Sequence, residues 1–206
     1  HSIRRRQRQM CIRDSDLDVS VQPSNPLWPI EVSYQGQTDS RKISLSLQGG
    51  EVTTVNFVFG VPPVAEEGEV NNFVIRTEMD AQNFVTNTTV LKVRDDLSME
   101  LSGPESGVIP TTISSDFSFG EFQITNTGNA PLSLNWSNGL APDGWTVGFA
   151  NPSNYIEPRE QRTVRLGFIP PANAPATEKA FEIVVTASGF NSGRMIQNSV
   201  TVEVSV

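Results

Sequence analysis

Histidine and cysteine are almost missing from this 206-residue chain, which has one of each, His1 and Cys11. Residues 12–206 therefore offer no His or Cys ligand for zinc, no Ser-His-Asp triad and no disulfide framework. Long hydrophobic runs are also lacking: no stretch of 18 apolar residues occurs, so no transmembrane helix is expected. No glycine pattern of the P-loop or dinucleotide-binding kind is present. Helical periodicity is missing too, since no segment keeps apolar residues at i, i+3, i+4 and i+7 over three turns. Lysine is scarce, with only Lys42, Lys92 and Lys179.

Charge is distributed unevenly. The chain has 15 basic and 23 acidic residues, net −8. Residues 1–15, HSIRRRQRQMCIRDS, carry Arg4, Arg5, Arg6, Arg8 and Arg13 against a single acid, Asp14. Removing them leaves 10 basic and 22 acidic residues, net −12. A basic arm for nucleic acid or anionic lipid is one reading of this tail. The string RQMCIRDS, however, resembles translated sequencing-adapter read-through, so 1–15 is set aside as a non-native or disordered tail. The acidic remainder argues against a nucleic-acid partner and suits a saline exterior.

What remains reads as strands. Apolar residues alternate with period 2 in seven places after Leu97: 97–101, 117–124, 132–136, 145–149, 164–168, 181–185 and 200–206. Turn residues separate them, which is the pattern of an immunoglobulin-like sandwich. Phe117 and Phe119 are out of phase with Phe122 and Ile124, and a bulge at Gly120 would bring both pairs to one face. Asn126-Thr127-Gly128-Asn129 reads as a turn, because Asn and Gly tolerate positive φ.

An internal repeat supports this assignment. Thr54–Pro63 matches Thr163–Pro171 if one residue near Gly60 is skipped, and Phe73-Val74-Ile75 aligns with Phe181-Glu182-Ile183. Trp28, Ile30 and Val32 echo Trp145, Val147 and Phe149, while Leu17, Val19 and Val21 echo Leu132, Leu134 and Trp136. Residue 16 then corresponds to a point well inside the second copy. The expectation is an all-β chain of tandem immunoglobulin-like sandwiches, the first truncated at its N-terminus. It comprises 16–94 as a partial sandwich without its first two strands and 97–206 as a seven-stranded one.

Residues 117–187 also carry a set of short motifs: Asn126-Thr127-Gly128-Asn129-Ala130-Pro131-Leu132, Gly139–Val147, Ile156-Glu157-Pro158-Arg159-Glu160, Pro170-Pro171 and Ala174-Pro175-Ala176. In order and spacing this set resembles the NEW family, an accessory domain found beside a carbohydrate-binding module of α-galactosidases. The related cell-adhesion-type repeat, CARDB, is the alternative name. Glu178-Lys179-Ala180-Phe181 departs from the family's usual entry to that strand. The resemblance implies an immunoglobulin-like spacer or accessory module of secreted or cell-surface proteins and brings no catalytic residues.

Candidate sites are few. Trp28, Trp136 and Trp145 fall in phase with core positions, so Tyr155, beside Pro152, is the candidate glycan contact. Asp95, Asp96 and Glu100 are the candidate Ca²⁺ ligands, weighed against a solvated linker. Asn87-Thr88-Thr89 and Asn135-Trp136-Ser137 are N-glycosylation sequons. No pair of carboxylates is placed for glycoside hydrolysis. The function expected is non-catalytic: a spacer or presentation module of a larger secreted or surface protein. Its partners would be neighbouring domains, surface polysaccharide or another surface protein. The alternative is a carbohydrate-binding or accessory module of an extracellular glycosidase or protease.

Overall fold

The computed structural model describes residues 15–138 and 142–206. The tail 1–14 and the family-like segment 139–141 lie outside the described residues. Every regular element is a strand, as the period-2 alternation predicts. Two compact units result: one holds residues up to Ala65 together with Glu69–Val93, and the other holds Glu66–Gly68 with Arg94–Val206. The partition differs slightly from the expected one, since Arg94 goes with the second unit and Ser15 already pairs with Leu47.

In the second unit, β8 (Met99–Ser102), β10 (Ser118–Asn126), β12 (Thr146–Ala150) and β14 (Gln161–Ile169) form one sheet in the order β12-β14-β10-β8. The other sheet is β13-β11-β15-β16-β9, built from β9 (Val108–Pro110), β11 (Leu132–Asn138), β13 (Tyr155–Ile156), β15 (Glu178–Gly189) and β16 (Met195–Ser205). All seven expected strands are present. The two additional ones, β9 and β13, are only three and two residues long, too short to show alternation. The core between the sheets falls into two clusters, one around Phe122, Leu166, Phe168, Phe181 and Ile183, the other around Ile124, Leu132, Leu134, Ile156 and Val185.

The first unit has the sheets β4-β1-β6-β7 and β3-β2-β5. These contain β1 (Ser15–Pro23), β2 (Ile30–Tyr34), β3 (Gln37–Asp39), β4 (Lys42–Leu47), β5 (Asn56–Phe59), β6 (Val70–Glu78) and β7 (Phe84–Lys92). Strand registers align it with the second unit. Ile30 faces Phe59 as Val147 faces Phe168, and Val32 faces Phe57 as Phe149 faces Leu166. At the centre, Phe73 meets Trp28 edge-on at 6.0 Å and Phe59 at 4.3 Å. Phe181 meets the equivalent Trp145 and Phe168, both edge-on at 5.1 Å, whereas the Phe59–Phe73 pair is tilted. One strand differs from the sequence alignment. The β1–β6 and β11–β15 registers equate Leu17 with Leu134 and Val19 with Trp136, two residues away from the expected match. A two-residue slip keeps the same face inward, so alternation alone does not detect it.

Two further expectations are corrected. Residues 118–125 pair with 161–168 without interruption, so no bulge occurs at Gly120 between these strands. Phe119 stays on the outer face, and Gly120 turns inward, where a Cβ would collide with Ile109 of β9. In the 126–129 turn, Gly128 does not have positive φ. It is required there because a Cβ would strike the Asp96 carbonyl oxygen and approach the Ser98 nitrogen at 2.9 Å. Asn126 is buried and stabilises the turn through its side chain. Its Oδ1 accepts from the Gly128 N–H at 3.0 Å, and its Nδ2 donates to the Ala130 carbonyl at 2.9 Å.

Among the described residues the first unit has no counterpart of β8, β9 or β10. Phe57 and Ile75 are half-buried, whereas their equivalents Leu166 and Ile183 are 1% and 0% exposed. Leu166→Ala should therefore cost about 2–5 kcal/mol. Phe57→Ala should cost less despite the larger side chain, because part of that ring is already in water. Native-state hydrogen exchange, read separately at β14 and β5, would measure both; equal losses would contradict this account.

Candidate functional site

Three surfaces of the second unit hold rings that are at least partly accessible, and the first two are shaped by glycine or proline. The first is a cleft of about 310 Å³ lined by Pro142, Asp143, Trp145, Pro171, Asn173 and Lys179, among others. Gly144 has φ 82°, and the Trp145 N–H donates to the Pro142 carbonyl at 3.2 Å, which closes a tight turn. A second turn, closed by the Ala174 N–H on the Pro171 carbonyl, brings the opposite wall into place. Trp145 is half-buried: it packs against Phe181 below and still lines the cleft. An indole ring bordered by a carboxylate, an amide and an ammonium group can stack on an apolar ring face and hydrogen-bond hydroxyls at its edge.

The second surface lies on the outer face of the β12-β14-β10-β8 sheet. Phe117 and Phe119 are 40% and 42% exposed, with ring centroids 5.9 Å apart. Beneath them, Gly148 and Gly167 sit opposite each other in register. A Cβ on Gly167 would come within 2.6 Å of Phe117 and 2.9 Å of Phe119. The two glycines therefore form a floor on which the rings rest. The Arg165 guanidinium lies 4.6 Å from the Phe119 ring centre, and Glu121 stands beside it at 3.9 Å. The sequence did carry a signal for this platform: the out-of-phase phenylalanines, read as a bulge, mark a change of face.

The third surface contains Tyr155, the candidate glycan contact, which is half-buried on β13. Phe190, 67% exposed, packs edge-on against it at 5.8 Å and is the exposed ring of the pair. Burial, the Glu157 carboxylate and the Glu160 charge push the Tyr155 hydroxyl above its ordinary value. The other tryptophans serve the core. Trp28 is 2% exposed, and Trp136 packs against Phe149 while its Nε1 donates to the Ser153 carbonyl at 2.8 Å.

The three acids proposed for Ca²⁺ do not come together. Asp95 accepts from Arg194 Nη1 at 3.1 Å. Its Oδ2 is buried and has no hydrogen bond of ordinary geometry, although the Ser192 hydroxyl is near. Ser192, followed by Arg194, holds the carboxyl below its ordinary range. Asp96 and Glu100 are exposed. Among the described residues no group of three or more His, Cys, Asp or Glu side chains is arranged for a metal ion. Both sequon asparagines, Asn87 on β7 and Asn135 on β11, face solvent. No helix among the described residues is long and apolar enough to cross a membrane.

No family model and no curated protein matches the chain. Among solved structures it is similar to a protein of unknown function from Porphyromonas gingivalis, at 16% identity over 94% of this chain and 86% of that one, with a TM-score of 0.38. It is also similar to the CFA/I adhesin CfaE of enterotoxigenic E. coli, at 10% identity over 94% and 79%, TM-score 0.37. Cadherin-like domains 1 to 4 of zebrafish RET match at 11% identity over 87% and 40%, TM-score 0.30.

Two outcomes are expected. Gly167→Ala should lift both phenylalanines from their floor and cost about 1–2 kcal/mol, an overpacking penalty read by chemical denaturation. No loss would mean that the rings adjust freely. Asp95 has a folded pKa below its ordinary 3.8, so its pairing stabilises fully above that value and is lost as pH falls through the folded pKa. Denaturation midpoints from about pH 6 to about pH 2 should show a shallower acid limb in Asp95→Asn. An unchanged limb would leave Asp95 without a role in acid stability.

Proposed function

We propose that the chain is a non-catalytic pair of immunoglobulin-like modules that space or present other parts of a larger secreted or cell-surface protein. The observation that carries this reading is what the two units have in common. Trp28, Phe59 and Phe73 recur as Trp145, Phe168 and Phe181, with the same ring contacts. Surface features do not recur. Where the second unit has the glycine floor of Gly148 and Gly167, the first has Glu31 and Val58, both exposed. Sequence divergence that preserves packing while freeing the surface is what a scaffold permits. The resemblance to NEW-family and CARDB repeats, the low lysine content and the net charge of −8 support the same reading.

The Trp145 cleft favours a second reading, a carbohydrate contact in an accessory module, because it joins an aromatic ring with convergent polar groups. Retention on an array of plant, algal and bacterial polysaccharides separates the two. The scaffold reading expects no retention by folded protein. Retention weakened about tenfold or more by Trp145→Ala, a loss of about 1.4 kcal/mol, would replace it with the carbohydrate reading.

A further inference from the structure

We infer that the second unit bears tension along the chain. The segment by which the chain enters it and the strand by which the chain leaves it lie side by side, point the same way, and resist a pull as one sheared seam. The inference rests on the spacer reading, since a spacer between other parts of a surface protein transmits force through its two ends. The seam can be followed residue by residue. At its start, Arg194 Nη1 donates to Asp95 Oδ1 at 3.1 Å and to the Asp95 carbonyl at 3.4 Å. Next, Asn198 Nδ2 donates to the Met99 carbonyl at 3.1 Å. Gly103 then lies against Val200, where a Cβ would stand 3.5 Å from the valine side chain. The Glu203 N–H donates to the Gly107 carbonyl at 3.3 Å, and Ile109 pairs with Val204 in parallel. At the far end the Thr111 N–H and hydroxyl both donate to the Ser205 carbonyl, at 2.7 and 2.8 Å. Both partners advance together, from 95 to 111 on one side and from 194 to 205 on the other.

Direction decides how such a seam fails. β16 has 11 residues, so entry at Asp95 and exit at Ser205 stand about 35 Å apart, at opposite ends of it. A pull on the two ends draws 95–111 backwards along its own path and β16 forwards along its own. For parallel partners these motions are opposed and run along the strand axis, so every contact is strained at once. A ladder loaded from one end opens one hydrogen bond at a time. Both flanks of the seam are anchored. On the entry side, Asn129 Oδ1 accepts from the Asp96 N–H at 2.7 Å, and its Nδ2 donates to the Arg94 carbonyl at 3.0 Å. The N–H groups of Thr127 and Gly128 both donate to the Ser98 carbonyl. On the exit side, β16 is paired with β15 from Met195 to Ser205, and Val202 and Val204 are buried in the core. Neither partner can slide without breaking its flank. Forced unfolding follows the barrier to leaving the native state, and this arrangement raises that barrier for a pull along the chain.

The test is single-molecule pulling of the full chain in two geometries. Cys11→Ser with Thr112→Cys, an exposed position just past the seam, puts the one thiol of the chain beside the Ser205 end. The first geometry pulls on handles at the two chain ends. The second pulls on that thiol and the C-terminal handle, and so opens the same ladder from its Thr111–Ser205 end. Pulling by the chain ends should need at least about twice the force at equal loading rate. Its event should release about 35 nm of chain, the extended length of 95–205 less the folded span, which is more than 15–93 can supply. Thr111→Pro, which removes both bonds to Ser205, should raise the rate of unfolding by end-pulling about tenfold. Thr111→Val keeps the side-chain shape, removes the hydroxyl bond alone and should raise that rate about threefold, which keeps the test open if the proline variant does not fold. Equal forces in the two geometries, or an end-pulling force that neither substitution lowers, would overturn the inference. Either result would leave the spacer reading standing, because glycan retention decides that one.

Discussion

Both units depend on one contact, a phenylalanine on the long central strand of one sheet held between a tryptophan and a second phenylalanine from the opposite side. Phe73 and Phe181 are each at most 1% exposed, and each bridges the two layers. Edge-on and tilted packing lets three large rings meet without voids, and such pairs stabilise beyond their buried area by about 0.5–1.5 kcal/mol. Neither unit has a disulfide to restrain it, so cohesion rests on this packing and on the strand ladders around it. The tryptophan precedes its strand by two residues or fewer, the second phenylalanine lies near the end of its own, and a fixed register places them together.

Much of this was legible in the sequence, for a simple reason. Period-2 alternation encodes a buried face, and a repeated aromatic spacing encodes a repeated core. Strand existence, the inward face and the pairing of Phe73 with Phe181 followed directly. Register did not: Leu17 and Val19 are two residues from the expected match because both alignments bury the same face. Face changes were also misread. Phe117 and Phe119 look like core by hydrophobicity, yet glycines on neighbouring strands, distant in sequence, provide them a floor on the solvent side. Glycine roles were the least visible, since Gly128 and Gly120 are required by close approach of another segment and not by their own φ.

The surface sites divide along the same line. Sequons are local motifs: Asn135 stands where alternation puts it, and Asn87 lies in a stretch of β7 that is exposed on both faces. Asp95 is not local, because Arg194 reaches it from almost a hundred residues away. No spacing rule among the acids could show that its charge was already engaged. Likewise, the cleft at Trp145 forms where two proline-containing turns, separated in sequence by strands β12, β13 and β14, close beside each other.

The parallel pairing of β9 with β16 has a consequence for synthesis. Val204 pairs with Ile109, and the Thr111 hydroxyl donates to the Ser205 carbonyl. β16 also forms the long ladder with β15 and contributes Val202 and Val204 to the core around Phe181. A nascent chain therefore cannot close the second unit until β16, Met195–Ser205, has emerged. Until then Phe122, Phe168 and Phe181 lack their lid, and the order of translation offers no early native state. Long-range pairing of this kind folds on the slower, millisecond-to-second scale. The second unit is thus closed as a whole by β16, which pairs with β15 on one side and β9 on the other, and is not built up hairpin by hairpin.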